Sequence, residues 1–126
     1  MVTLKGSQLP PEVLRLQPMP KKLFVSSDNL DELIKRPRIG IIGSRKITPY
    51  GRGVTTKFAH ELAGKDVVIV SGLALGVDSI AHMAALQANG TTIAVLPSGL
   101  DKIYPATHYH LAKEIITKQG LLVTIS

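Results

Sequence analysis

The sequence of 126 residues predicts an α/β fold with a mostly parallel sheet, for two reasons. From Ile39 onward, short apolar runs alternate with longer amphipathic segments, and the links between them are short. This alternation is typical of βαβ units, which build a parallel sheet with right-handed crossovers. In addition, glycine-rich turns follow the first three of these apolar runs. Such turns would share the carboxyl edge of the sheet, where ligands of parallel α/β folds bind.

The first 37 residues are predicted to form a lead-in of short strand and helix elements before the main domain, residues 38–126. Its first seven residues are expected to be a loose end. Prolines interrupt the lead-in repeatedly, and Pro37 stops its last helix because it cannot continue a helical hydrogen-bond ladder. The predicted elements are a helix at Pro11–Leu16, a strand at Leu23–Val25 and a helix at Asn29–Lys35.

The main domain is predicted to alternate four strands with three helices. The β-branched run at Ile39–Ile42 suits a buried parallel strand. In the first long helix, Val54, Phe58 and Leu62 recur every four residues and are expected to face the sheet. The strands are predicted at Ile39–Ile42, Val67–Val70, Thr92–Leu96 and Leu121–Ile125, and the helices at Pro49–Ala63, Val77–Ala88 and Thr107–Lys118.

Three turns at the carboxyl edge define the candidate site. They are named here the first turn (Gly43–Lys46, GSRK), the second turn (Ser71–Gly76, SGLALG) and the third turn (Pro97–Asp101, PSGLD). The first turn brings two cations to a helix whose Thr48 and Pro49 suit the N-cap and N1 positions. Free backbone N–H groups and the helix dipole attract anions there. The first turn is therefore predicted to bind phosphate.

The positive charge is concentrated at the start of the chain. Residues 1–52 hold ten Lys or Arg and four Asp or Glu, whereas residues 53–126 hold five of each kind. A basic balance from a clustered source fits a polyanionic partner, and ordinary solubilising charge is the alternative.

Several classes of site are not indicated. The chain has no cysteine, which excludes disulfides and thiolate metal sites, and no apolar run is long enough for a membrane span. The N-terminus lacks the apolar region of a secretory signal, so a cytoplasmic protein is expected. The dinucleotide fingerprint and the Walker A loop are both absent, and no cofactor is predicted.

Catalytic and metal-ligating constellations are also weak. Asp78 is expected to cap its own helix, and His82 to be a hydrogen-bonded core histidine. His108 and His110 lie two residues apart and would face different sides of a helix, so they do not form a ready metal pair. Tyr104 beside Lys102 could stack on a base or pack beneath its own loop. We predict no catalytic residue, no metal site and no enzyme.

Three motifs resemble those of the DNA-processing protein A family, also called DprA or Smf. The runs are GSRKITPYG (Gly43–Gly51), SGLALGVDSIAH (Ser71–His82) and IAVLPSGLDKIYP (Ile93–Pro105), in the family's order and spacing. The resemblance implies a Rossmann-like three-layer αβα fold that binds single-stranded DNA and helps to load the RecA recombinase during natural transformation. A homodimer is implied as well.

The resemblance also implies which residues contact DNA. Arg45 corresponds to the family's backbone-contacting arginine, and the glycine-rich turns shape the pocket around it. The predicted DNA-binding residues are Gly43, Ser44, Arg45, Lys46, Ser71, Gly72, Ser98, Gly99, Lys102 and Tyr104.

The sequence departs from the family pattern at three places. Pro97 replaces a frequent glycine, His108 replaces an asparagine, and the chain stops at Ser126 before a basic FPxRNRxI segment. The resemblance thus predicts a member truncated at its C-terminus. The rival interpretation is a nucleotide-handling phosphoribohydrolase of the lysine-decarboxylase-like type, but the PGGxGT loop and following Glu of those enzymes are absent.

Overall fold

The computed structural model describes residues 2–15, 17, 20–97, 99–100 and 108–125. Its strands are β1 (Val2–Lys5), β2 (Lys22–Val25), β3 (Arg38–Gly40), β4 (Val68–Ser71), β5 (Thr92–Leu96) and β6 (Leu121–Ile125). Its helices are α1 (Pro11–Leu14), α2 (Leu30–Leu33), α3 (Pro49–Ala63), α4 (Val77–Gln87) and α5 (Tyr109–Thr117).

All six strands form one sheet in the order β1-β2-β6-β5-β4-β3. Strands β3 to β6 are parallel, as the βαβ pattern predicts. Beyond β6, strand β2 pairs antiparallel with β6, and β1 pairs antiparallel with β2. Because the successive parallel strands all step in the same direction, right-handed crossovers put α3, α4 and α5 on one face. The short helices α1 and α2 cover part of the other face, so the predicted three-layer α/β fold is confirmed.

The core is split by the sheet, with alternate strand residues facing each layer. On the side of α1 and α2, residues such as Val68, Ile93 and Val123 pack with the lead-in. On the other side, α4 and α5 pack through Leu86 and Ile115 against the alternate positions of β5 and β6. The lead-in therefore shares its core with the main domain.

The orientation predicted for α3 is wrong at Phe58, whereas Leu62 is partly buried and packs against the core as predicted. Phe58 is 57% exposed, and the buried positions are one residue further along, at Thr55, Ala59 and Ala63. The cause is that α3 packs beside α4 through small side chains, including Ala81 on α4. Two helices that approach closely need small residues such as alanine at their contact, and the larger apolar residues on which the prediction was based do not fit there.

Two other expectations also fail. Ile39–Ile42 was expected to be buried, but β3 is an edge strand, and Ile39 is 41% exposed and Ile42 80% exposed. The first seven residues were expected to be loose, but Val2–Lys5 pairs with β2. A strand at the sheet edge gains its order from a partner far along the chain, which local sequence does not indicate.

Candidate nucleic-acid interface

The first and second turns lie side by side because they follow neighbouring parallel strands. The amide N–H of Val77 donates to the carbonyl oxygen of Ser44 at 3.1 Å. The hydroxyl of Ser71 donates to the carbonyl oxygen of Ile41 at 2.5 Å. The first hydrogen bond ties the backbone of the first turn to the start of α4, and the second ties the residues just before that turn to the end of β4, so the path of the first turn is fixed from one side.

Glycine is required where these two turns meet. Gly76 has φ +84°, and a Cβ there would come within 2.6 Å of the carbonyl oxygen of Arg45 and also strike that of Ser44. A Cβ on Gly43 would lie 2.8 Å from the Cγ2 atom of Val77. Gly76 thus permits a close contact with the backbone of the first turn, and Gly43 permits one with the side chain of Val77; an added side chain would push either contact apart.

The first turn presents its side chains to solvent at the start of α3. Ser44, Arg45 and Lys46 are all exposed, and the Ser44 Oγ atom accepts a hydrogen bond from the Lys46 amide at 3.1 Å. As predicted, Thr48 caps α3 by accepting from the Gly51 amide at 3.0 Å, with Pro49 in the first helical turn. Exposed cations therefore flank the positive end of a 15-residue helix.

Neither cation of the first turn is neutralised within the part of the chain that the structure describes. There, the salt bridge found is between Arg36 and Asp66, at the amino edge of the sheet. Arg45 and Lys46 are available to an external anion, and the fork of an arginine can hold a phosphate through two hydrogen bonds.

The second turn is built differently, because the side chains of Ser71 and Leu73 are buried in the protein, although Leu75 is exposed. Ser71 is 3% exposed, and Leu73, which has φ +64°, is completely buried. The Gly72 amide donates to the Oδ2 atom of Asp78 at 3.1 Å. The expectation that Asp78 caps its own helix is thus wrong: no side chain among the described residues caps α4, and this buried carboxylate holds the second turn instead.

Behind the second turn, His82 is completely buried on α4, as its predicted core role requires. Its Nδ1 atom lies 2.7 Å from the Oγ1 atom of Thr92, and that hydroxyl donates to the carbonyl oxygen of Ile69 at 2.7 Å. Because the hydroxyl proton is already committed to Ile69, Nδ1 carries the proton that joins His82 to Thr92.

The other ring nitrogen of His82, Nε2, is buried without a hydrogen-bond partner among the described residues. Burial lowers the pKa of His82 from 6.5 to about 4; the nearby backbone of Ser71 opposes that shift, and the charge of His108 adds to it. The imidazole is therefore neutral at pH 7 and serves as part of the core.

The segment after the third turn contacts the second turn through His108. Its Nδ1 atom lies 2.8 Å from the carbonyl oxygen of Leu73 and donates to it. Sequence reasoning noted His108 as a departure from a motif and as a poor metal ligand beside His110, and no local pattern indicates this contact. The hydrogen bond links the start of α5 to the turn that supports the first turn.

Of the third turn, Pro97 and Gly99 are exposed, and Leu100 packs against the core beneath α5. The predicted contacts at Ser98, Lys102 and Tyr104 lie outside the described residues. Within the described ranges, no three His, Asp or Glu side chains gather as a metal site would require. None of the helices described there combines the length and the apolar character of a membrane span.

Comparison with known proteins shows that this chain resembles members of one family. The family model for DNA recombination-mediator protein A matches residues 1–125. Protein Smf of Escherichia coli is 39% identical over 115 residues, which is 91% of this chain and 30% of that protein. DNA processing protein DprA of Bacillus subtilis is 36% identical over 121 residues, or 96% of this chain and 40% of that protein.

Solved structures give the same result. DNA processing protein A from Helicobacter pylori, whose single-stranded DNA binding mode has been described, superposes with a TM-score of 0.83 at 40% identity. DprA from Streptococcus pneumoniae superposes with a TM-score of 0.82 at 32% identity. Each match covers 98% of this chain, but the chain spans only 54% and 43% of those two structures.

Proposed function

Because the chain belongs to the DNA recombination-mediator protein A family, whose members are also named DprA and Smf, we propose that it binds single-stranded DNA at the first turn. One observation carries the proposal: Arg45 and Lys46 are exposed at the start of α3, on a backbone that the second turn holds in place. The single-stranded DNA binding described for the H. pylori protein supports it.

The chemistry of the first turn favours a phosphate backbone over a base edge. Arginine, lysine and the backbone N–H groups of a helix start all recognise anionic oxygens, and their contacts to phosphate carry no sequence information. A flexible single strand can turn its phosphates toward such a helix start. We therefore propose binding with little sequence preference, in which the predicted residues of the second and third turns shape the pocket around Arg45.

The wider function follows from the family. We propose that the protein acts in the cytoplasm during DNA uptake and recombination, that it helps to load the RecA recombinase, and that it forms a homodimer. The family description as a recombination mediator supports a role in recombination, and loading of a recombinase would be one form of that role. We propose that it is not an enzyme, and release of free base from nucleoside monophosphates would favour the phosphoribohydrolase interpretation instead.

The decisive experiment compares two arginines. Arg45→Ala removes the proposed phosphate contact, whereas Arg52→Ala removes an exposed arginine of α3 and serves as the control. We expect Arg45→Ala to weaken binding of labelled oligo-dT about ten- to a hundredfold, because a charge-assisted hydrogen bond is worth ~1.5–3 kcal/mol. Arg45→Lys should restore only part of the affinity, since lysine cannot form the two-bond fork.

Salt dependence and a duplex of equal length complete the test. Loss of one phosphate contact should reduce the log–log salt slope by about 0.7 on a single strand. The wild-type protein should prefer oligo-dT to the duplex at low salt. Equal affinity for the two polymers, or equal effects of Arg45→Ala and Arg52→Ala, would show that generic basic attraction explains the binding.

A further inference from the structure

A second cationic feature lies at the other end of the same sheet edge. Lys5 ends β1 and Lys22 begins β2, and the two residues are directly opposite each other in the antiparallel pair. They are named here the lysine pair. We propose that the lysine pair is a second contact for the phosphate backbone, so that a single strand crosses the carboxyl edge from Arg45 to Lys22. This inference rests on the proposed function.

Strand direction places the lysine pair on that edge. Strand β2 is antiparallel to β6, and Leu23 pairs with Ile125, the last residue of β6. Lys22 is one residue further out, and therefore lies beyond the carboxyl end of the parallel strands. Lys5 shares this level through its pairing with Lys22. Both lysines also lie on the sheet face that carries α3, α4 and α5, opposite to Leu23.

The pairing itself is unfavourable without an anion. Directly opposed residues of an antiparallel pair have Cβ atoms about 4.5–5.5 Å apart, and like charges at that distance repel. Both lysines are exposed, and Lys21 beside them is exposed as well. Among the described residues, no carboxylate forms a salt bridge with any of the three. A phosphate between the two ammonium groups would relieve their repulsion.

Protection of a sheet edge does not explain the pair. Lysine on an edge strand discourages pairing with another chain, and Lys5 on β1 could serve that purpose. Lys22 belongs to β2, however, which has a neighbour on each side in β1 and β6. A cation on an interior strand, facing a second cation, is better explained by a ligand.

The cations of the opposite edge provide a contrast. Arg36 donates to Thr91 and to the carbonyl oxygen of Asp66, and Arg38 donates to the carbonyl oxygens of Ile34 and Arg36. Those arginines have partners within the protein and hold the amino edge of the sheet together. The lysine pair has no such partners among the described residues.

The distance between the two contacts sets the length of strand that could join them. From β3 to β2 there are four strand spacings, and to β1 there are five. At about 4.8 Å per spacing, the separation across the sheet is roughly 19–24 Å. At ~3.4 Å per stacked nucleotide, that span corresponds to about seven nucleotides at most. An oligonucleotide of about three nucleotides cannot reach both contacts.

The test combines a double variant with two lengths of oligo-dT. Lys5→Ala with Lys22→Ala removes the pair, and Lys35→Ala with Lys65→Ala removes two exposed lysines that precede β3 and β4 at the amino edge. For an oligo-dT of about ten nucleotides, the lysine-pair variant should bind about tenfold more weakly, with a salt slope lower by about 0.7 for the one phosphate contact that the pair would hold. The control variant should change neither quantity.

Length separates this inference from the proposed function. An oligo-dT of about three nucleotides, bound at the first turn, should lose affinity with Arg45→Ala but not with the lysine-pair variant. If the wild type binds no oligonucleotide, the proposed function fails. If the wild type binds and the lysine-pair variant retains its affinity for the longer oligonucleotide, only the second contact is refuted. A thermal melt checks folding, and Lys22→Gln alone is the fallback variant.

Discussion

The first and second turns follow neighbouring strands at the same edge of the sheet, yet the first exposes its polar side chains and the second buries most of its polar groups. The first turn shows solvent its side chains, Ser44, Arg45 and Lys46, while its backbone is held by the protein. In the second turn Ser71 and Leu73 are buried, and the hydroxyl of Ser71 and the amide of Gly72 form hydrogen bonds within the protein. The first turn is suited to contact a ligand, and the second turn is suited to hold the first turn in place.

This difference separates the predicted DNA-binding residues into those that can contact a ligand and those that position the contacting residues. Both turns were predicted to bind DNA, but the hydroxyl of Ser71 and the amide of Gly72 already have partners inside the protein. Substitutions in the second turn should therefore change stability first. Substitutions in the first turn should change affinity with little effect on stability.

The largest effect is expected for Gly76→Ala. The new Cβ would meet the carbonyl oxygens of Ser44 and Arg45, and φ at this position is +84°. Overpacking and a left-handed backbone together should lower the free energy of unfolding by about 2–5 kcal/mol. Chemical denaturation measures this loss, and displacement of the first turn should reduce oligo-dT binding as well.

Gly53→Ala is the matched control for that prediction. Gly53 lies inside α3, is exposed, and has open space where a Cβ would be. Alanine is the better helix former, so this variant should be more stable by up to about 1 kcal/mol. Equal stability of the two variants would contradict the tight contact between the turns.

The next effect is acid sensitivity from His82, behind the second turn. Its pKa is about 4 in the folded protein, against 6.5 for an unperturbed histidine. Between these values the unfolded chain binds more protons, so stability is complete above pH 6.5 and falls as the pH drops toward 4. The difference in pKa corresponds to a loss of ~3 kcal/mol at most.

A substitution isolates this contribution from the carboxylates, which titrate over an overlapping range. His82→Gln keeps an amide donor for Thr92 but cannot titrate, so its stability should depend less on pH between 6.5 and 4. Denaturation curves of both proteins at several pH values measure the difference. Parallel curves would mean that His82 does not couple protonation to folding.

Much of the fold could be predicted because its signals are local. The helix Pro49–Ala63, with Thr48 as its cap, and the strands Thr92–Leu96 and Leu121–Ile125 have the predicted bounds. Proline, glycine and capping residues act within one turn of chain, and sequence shows them directly. The first turn's place at the carboxyl edge also follows, since parallel strands share that edge.

The failures depend on partners outside the local sequence pattern, and most of those partners are distant in the chain. Nothing near Val2–Lys5 shows that β2 will pair with it, and Phe58 fits the apolar period of α3 as well as Ala59 does. Asp78 looked like a cap because it begins a helix, but its partner is the Gly72 amide in the preceding turn. Local pattern identifies candidate groups, whereas tertiary contacts decide which of them remain available to a ligand.

The smallest expected effect compares two serines, one from each turn. Ser71→Ala removes a nearly buried hydroxyl and leaves the carbonyl of Ile41 without that donor, which should cost about 1–2 kcal/mol. Ser44→Ala removes an exposed hydroxyl whose partner, the Lys46 amide, can turn to water, so stability should change by less than about 0.5 kcal/mol. Oligo-dT binding by folded protein should show the reverse order, because Ser44 adjoins Arg45 at the proposed contact. If Ser44→Ala destabilised the protein as much as Ser71→Ala, the division between a ligand-facing turn and a supporting turn would not hold.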